Sequence, residues 1–207
     1  MTCDNPNIHT NLTPILDRGN EDSCEIRVRK WECLKYLLFP VQDGRYIRSF
    51  IVEEGAVFCW AGIALWADMV LEMSVYIEWS RSEASVRLLG LATSESRIEL
   101  DGVGRVSVGC QDVKLRVDQT NILLGSWAKV KGRPVLEVAT DSIEWGHSCR
   151  IHRISGEALF YLESHGIDSQ TAEGMLLTAE IHKCTDLLSE EGEGVKWEIL
   201  ERLKIGQ

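Results

Sequence analysis

No two cysteines in this 207-residue chain are spaced as C-x-x-C, so the simplest zinc-ribbon signature is missing. The seven cysteines (Cys3, Cys24, Cys33, Cys59, Cys110, Cys149 and Cys184) are an odd number, and a tidy disulfide framework is not expected. Cys59 lies in Val-Phe-Cys-Trp, where a reduced thiol behaves as a small hydrophobe. A reducing compartment is the simplest reading. Clusters of Lys and Arg are also missing, and the formal net charge is −10. Phosphate backbones and anionic bilayers attract the opposite sign, so neither nucleic acid nor a membrane surface is an expected partner. No apolar run is long enough to span a bilayer: the longest, GAVFCWAGIALWA over 55–67, stops at Asp68 and reads as buried strand. Residues 1–22 carry Asp4, Asp17, Glu21 and Asp22 and lack the basic start and apolar stretch of a signal peptide. A cytoplasmic location is therefore expected, and the Asn11-Leu12-Thr13 match to a glycosylation acceptor is read as coincidence.

Catalytic signatures are equally scarce. There is no G-x-x-x-x-G-K-[ST] loop, no G-x-S-x-G elbow and no His-x-Glu-x-x-His pair, and Gly102-Val103-Gly104 is too short for a dinucleotide fingerprint. The chain is not expected to be an enzyme. With 44% hydrophobic and 26% charged residues the balance is that of an ordinary globular protein, enough for one domain with a small appendage.

What is present is alternation. In Leu71-Glu72-Met73-Ser74-Val75-Tyr76-Ile77-Glu78-Trp79 every odd position is apolar, which puts one strand face on a core. Shorter echoes follow at Val86/Leu88, Val106/Val108, Val113/Leu115/Val117, Val135 with Leu136 and Val138, and Ile143/Trp145, separated by turn-formers such as Asp101-Gly102 and Gly125-Ser126. Such strands mark a sandwich, a barrel or a β-solenoid, and periodicity alone does not choose among them. No tight hexapeptide register is visible, so a solenoid here is expected to be irregular.

After Ile154 the period changes. Ser155 is placed to cap a helix around 157–162, and Gly166 suits its left-handed stop. Asp168 caps a longer helix with Ala172, Met175, Leu176 and Ala179 on one face. A Gly-containing break at 190–194, read as a solvated loop, precedes a short amphipathic segment with Val195, Ile199 and Leu203 four apart. The expected division is a flexible tail over 1–22, a β core over 23–153 and a small C-terminal helical domain over 154–207.

The order Gly146-His147-Ser148, then Glu157-Ala-Leu-Phe-Tyr-Leu162, then Gly166-Ile167 and Asp168 resembles the C-terminal part of the SufB/SufD family, scaffolds of iron–sulfur cluster assembly. Upstream, Gln119-Thr-Asn-Ile-Leu-Leu124 followed by Arg133-Pro134-Val-Leu-Glu-Val138 is similar to the family's paired strands. The similarity covers about 104–185 and reaches back towards 51. It implies an irregular right-handed parallel β-helix followed by helices. It also implies a non-enzymatic SUF-system scaffold that works in a complex with a SufC-like ABC ATPase and a SufB-like subunit or a second copy of itself. SufB-type members place a cysteine near position 119, where this chain has Gln, so the resemblance is to SufD, in a short form lacking the family's N-terminal helical region. No cluster is then expected on this chain alone, only a transient iron–sulfur cluster shared with a partner.

The resemblance makes His147 the residue expected at a cluster or metal interface; the plain alternative is a histidine satisfied by backbone groups at a strand end. Cys149 lies two residues on, hence on the same strand face, but one His/Cys pair falls short of the roughly four ligands a zinc or iron–sulfur centre needs. Its plain alternative is packing, and Cys110 has no assignable role. His152 falls on the opposite face and is read as surface. Phe160 and Tyr161 are candidates for ATPase docking, against the alternative of packing on their own sheet. Trp197, a large aromatic on a short terminal helix, is a further candidate for partner docking. Two rival classes stay open: a stand-alone β-rich interaction module without a cluster role, and a small metal-dependent β-barrel enzyme. His9, His165 and His182 lie in the tail or helices, which speaks against the second.

Overall fold

Alternating apolar residues become parallel strands here because each coil of the chain lays its odd or even positions over those of the coil before. The computed structural model describes residues 14–65, 68–93, 96–188 and 190–203. Its strands are β1 (Ile15–Asp17), β2 (Ser23–Val28), β3 (Cys33–Leu38), β4 (Gly44–Val52), β5 (Val57–Leu65), β6 (Asp68–Ile77), β7 (Glu83–Ala92), β8 (Arg97–Val106), β9 (Val113–Leu123), β10 (Lys129–Val138) and β11 (Ile143–His152). One sheet has the order β1-β3-β5-β7-β9-β11 and the other β10-β8-β6-β4-β2. Every pairing is parallel. The result is a β-solenoid of about four turns followed by helices. The step between stacked residues varies, from Cys33 to Val57 to Glu83 and then, with a longer stride, Lys114 to Glu144. That uneven step is why no fixed repeat shows in the sequence.

The two sheets enclose the first core. Met69, Leu71, Met73, Val75 and Ile77 of β6 all point into it, as do Phe58 and Trp60 of β5 and Val113, Leu115 and Val117 of β9. Each such side chain contributes roughly 1.5–3 kcal/mol. The ion pairs that link neighbouring coils on the outside, Arg105 to Glu137 at 2.6 Å and Arg133 to Asp101 at 2.7 Å, involve exposed arginines. Pairs of that kind are worth about 0–1 kcal/mol. Stacked apolar rungs, not charge ladders, set the register.

One corner of the coil is built from left-handed residues. Trp31, Gly55, Arg81 and Asp112, at successive levels, all have positive φ. Their amides step from level to level, Trp31 N–H to Glu54 O at 3.1 Å, Gly55 N–H to Ser80 O at 3.2 Å and Arg81 N–H to Gln111 O at 2.8 Å. A Cβ at Gly55 would lie 2.2 Å from the Trp31 ring, so only glycine fits.

The second core lies outside the barrel of strands. Leu37, Ala61, Ile63, Leu65, Leu89, Leu91 and Ile122 face away from the lumen and are covered by the helices. Helix α1 spans Gly156–Ser164, capped by Ser155, and α2 spans Ser169–Thr185, capped by the Asp168 carboxylate accepting from Thr171 N–H at 3.0 Å. A 3-10 turn over Asp186–Leu188 leads into α3, Glu190–Arg202. The face of α2 differs from the one read from sequence. Its buried side is Ala172, Gly174, Leu177, Ile181 and Cys184, while Met175 is 49% exposed. The Met175/Ala179 ridge turns instead towards α3. The 190–194 segment is helix rather than loop, because Gly192 lets α3 start against the end of α2: a Cβ there would sit 1.9 Å from the Thr185 carbonyl. No described helix is long and apolar enough to cross a membrane.

Of the segment expected as a tail, residues 1–13 lie outside the described residues, with Cys3, His9 and the Asn11-Leu12-Thr13 match. Residues 15–17 form β1 and pair with β3. Among the described cysteines, Cys24, Cys59, Cys110, Cys149 and Cys184 are free thiols.

β1 is anchored by a buried charge. Arg48, 1% exposed, donates from Nε to the Asp17 carboxylate at 2.7 Å and from Nη2 to Glu21 O at 2.9 Å, and Tyr36 O–H donates to the same carboxylate. Burial alone would raise the Asp17 pKa, but the bonds from Arg48 and Tyr36 outweigh it and hold the carboxyl below its usual value of 3.8. A depressed acid stabilises the fold above its unfolded-state pKa and loses that contribution as pH falls through the folded one. Asp17→Asn is expected to lower stability at pH 7 by about 3 kcal/mol. In urea unfolding the gap to the parent should narrow as the pH drops below about 4; a gap that stays constant down to pH 3 would show that Asp17 is not the anchor.

Candidate functional site

Both sheets end at the C-terminal coil, and that end is open. β10 and β11 are the last strands of their sheets, each ten residues long, with no further strand beyond them among the described residues. At the other end the terminal strands β1 and β2 are only three and six residues long. An unpaired parallel edge presents a row of backbone donors and acceptors. β10 blunts its edge with Pro134, which has no N–H, and with Lys129, Lys131 and Arg133. β11 has no proline.

The register fixes which residues meet that opening. His147 pairs with Val117 and Cys149 with Gln119. Val117 and Gln119 are fully buried lumen residues, so His147 and Cys149 are lumen-facing positions of a coil with nothing stacked over it. Both are exposed for that reason. Trp145, on the same face, is 57% exposed and Ile151 49%, whereas the equivalent Leu115 one level down is 1% exposed. The open end is thus a slice through the core, with an imidazole and a thiol among its apolar residues.

Beneath Cys149 lies Gln119 and beneath Ile151 lies Asn121, two amides with unmet hydrogen-bonding capacity. Gln119 donates from Nε2 to Leu100 O at 3.2 Å, but among the described residues its Oε1 has no partner, and neither does the Asn121 amide. Both residues are wholly buried. Gly132 of β10 makes room for Gln119 and Cys149, since a Cβ there would fall 2.5 Å from Gln119 Nε2 and 2.9 Å from Cys149 Sγ, and Gly90 makes room for Asn121, whose Oδ1 would lie 2.5 Å from a Cβ. This crowding explains why burial pushes the Cys149 thiol above its usual pKa even though the residue as a whole is exposed. Alternation alone places Gln119 and Asn121 on the same face as Val117, a signal available in the sequence.

The other expected residues are spread over the helices. Phe160 is 73% and Tyr161 63% exposed, and α1 buries no residue at all. Tyr161 stacks on His165 at 4.5 Å between ring centroids, and does not pack on the sheet. Trp197, 65% exposed, flanks a groove of about 580 Å3 between α2 and α3, which Met175, Ala179 and Leu200 also line. The structure does not bring these aromatics near His147 and Cys149 as one site; they form separate surfaces on the helical side. His152 is exposed and its Nδ1 lies 2.8 Å from Arg153 O. Cys110 is buried in the loop before β9, its Sγ 3.8 Å from Ile77 O, and serves packing.

Residues 46–180 match the family model described as SUF system FeS cluster assembly, SufBD core domain. The chain belongs to the SufB/SufD family. It is similar to the iron–sulfur cluster assembly protein SufD of Escherichia coli, 27% identical over 136 residues, which is 65% of this chain and 32% of that protein. It is also similar to SufD of Bacillus subtilis, 22% identical over 111 residues, 54% of this chain and 25% of that protein. A SufBD family protein of Synechocystis is 29% identical over 59 residues, 28% of this chain and 13% of that one. The chain spans about a third of the first of these relatives.

Thiol labelling separates the open end from the core. In the native protein Cys149 should alkylate with iodoacetamide while Cys59, Cys110 and Cys184 stay protected, Cys184 with burial pushing its thiol up to about 12. Cys149 should react slowly at pH 7 and faster as pH rises through 9. Mass spectrometry finding Cys149 as protected as Cys184 would show the end to be closed.

Proposed function

We propose that this chain is a scaffold subunit of iron–sulfur cluster assembly and transfer without a catalytic reaction of its own, working with an ABC-type ATPase and a SufB-like subunit or a second copy of itself. The observation that carries the reading is the open C-terminal end, where a long unpaired edge coincides with the exposed lumen residues His147 and Cys149. A partner strand laid along β11 satisfies its backbone and covers Trp145 and Ile151. Family membership supplies the chemical context, since the matched model is one of cluster assembly.

In this reading the cluster is cargo. Among the described residues no group of three or more His, Cys, Asp or Glu stands together to hold a metal ion. His147 and Cys149 offer a nitrogen and a sulfur ligand, about half of what an iron–sulfur centre takes, and the partner contributes the rest. The ATPase docks on the helical side, where Phe160, Tyr161 and Trp197 are exposed. Movement there reaches β11 directly, because only residues 153–155 separate the strand from α1.

Co-expression with a SufB-like subunit and an ABC ATPase tests the reading. All three should co-purify on a tag carried by this chain. Trp197→Ala should weaken ATPase retention about tenfold or more, as loss of an aromatic anchor does, without releasing the SufB-like subunit. His147→Ala should leave the complex assembled and reduce the iron and sulfide it carries. A monomer that retains neither partner would favour a stand-alone interaction module instead.

A further inference from the structure

A second feature, on the opposite face of the same strands, takes no part in this scheme. The outer surface of β7, β9 and β11 and the last turns of α2 enclose a cleft of about 570 Å3, a size usual for small-ligand sites. The register sets its floor in rows that cross three successive coils: Arg87, Asp118 and Ser148 form one row, and Leu89, Thr120 and Arg150 the next, with Arg116 beside them. Lys183 and Glu180 overhang from α2.

The charges in this cleft do not cancel. Asp118 accepts from Arg116 Nε at 2.6 Å and from Ser148 Oγ at 2.7 Å. Burial would raise its pKa, but those two bonds outweigh it and keep Asp118 ionised, so it neutralises Arg116. Glu180 is taken by Lys183 at 2.7 Å, and Asp186 lies 3.5 Å from Arg87, which also donates to Lys183 O at 2.5 Å. Arg150 has no carboxylate among the described residues; its one bond is from Nη2 to Thr120 Oγ1 at 3.1 Å. A guanidinium carries five N–H donors in a planar fork that matches oxyanions. The cleft therefore holds one uncompensated positive charge and a surplus of donors, in a chain whose net charge is −10.

We propose that this cleft binds a phosphate, free or as the phosphoryl group of a small molecule, held by Arg150, the Thr120 hydroxyl and the unused N–H groups of Arg116. The acidic remainder of the surface repels polyanions, so a small ligand entering the cleft is favoured over a nucleic acid. The binding requires neither partner subunit and is independent of the scaffold reading.

Inorganic phosphate titrated into the purified chain, at ionic strength held constant with chloride, should give saturable amide shifts at 116–120, 148–150 and 180–184 in NMR spectra. Arg150→Ala, which removes an exposed side chain, should weaken the dissociation constant about tenfold. Thr120→Val should weaken it by a smaller factor, and it decides the matter if the arginine variant does not fold. Adenosine monophosphate in a parallel titration separates the two sources: tighter binding than phosphate assigns a phosphorylated small molecule, equal or weaker binding a free anion. Shifts that grow linearly and match those from chloride, or constants unchanged in both variants, would overturn the proposal.

Discussion

A parallel coil leaves half of its backbone unsatisfied until another coil covers it, and everything notable about this molecule follows from that constraint. Along the interior the condition is met level by level, from β2 and β3 up to β8 and β9. The N-terminal end limits its exposure with short strands and with Asp17 pinned by Arg48. The C-terminal end does neither. Ten-residue edges and a cut through the apolar lumen are left in the open, with no further strand over them among the described residues.

That constraint also accounts for the exposure of His147 and Cys149. His147 and Cys149 occupy positions that at the levels below hold buried residues: Tyr36, Trp60, Val86 and Val117 under the histidine, and Leu38, Gly62, Leu88 and Gln119 under the cysteine. Near the opening the lumen gains two amides, Gln119 beneath Cys149 and Asn121 beneath Ile151, with polar atoms unpartnered among the described residues. Burying such groups without partners costs about 1–3 kcal/mol each.

Much of the fold was legible in the residues. Alternation in 71–79 gave β6 and its buried face, Ser155 and Asp168 gave the helix caps, and Gly166, at φ +84°, gave the stop between α1 and α2. The choice of solenoid over sandwich or barrel was not in the periodicity and came from the family resemblance, because the coil step changes along the chain. The exposed face of α2 was misread for a physical reason: Ala172 with Met175, Leu176 and Ala179 is a valid amphipathic stripe, but Leu177, Ile181 and Cys184 form a competing one, and the sheet took the second. Gly192 looked like a helix breaker when considered alone; only the proximity of the Thr185 carbonyl shows why α3 needs it. Alternation puts His147 and Cys149 on one strand face and Gln119 and Asn121 on the face of Val117, whereas which of these stack on one another, and which arginines meet outside, depends on the register across coils, and that register is a tertiary fact.

Amide hydrogen exchange gives the most direct test of the open end. In the chain alone, the backbone of β11 should exchange much faster than that of β9, and adding a SufB-like partner should slow β11 selectively while β2 and β4 stay unchanged. Protection of β11 equal to that of β9 in the free chain, or no change on adding a partner or raising the concentration of the chain itself, would contradict the view that this edge is the surface on which the protein assembles.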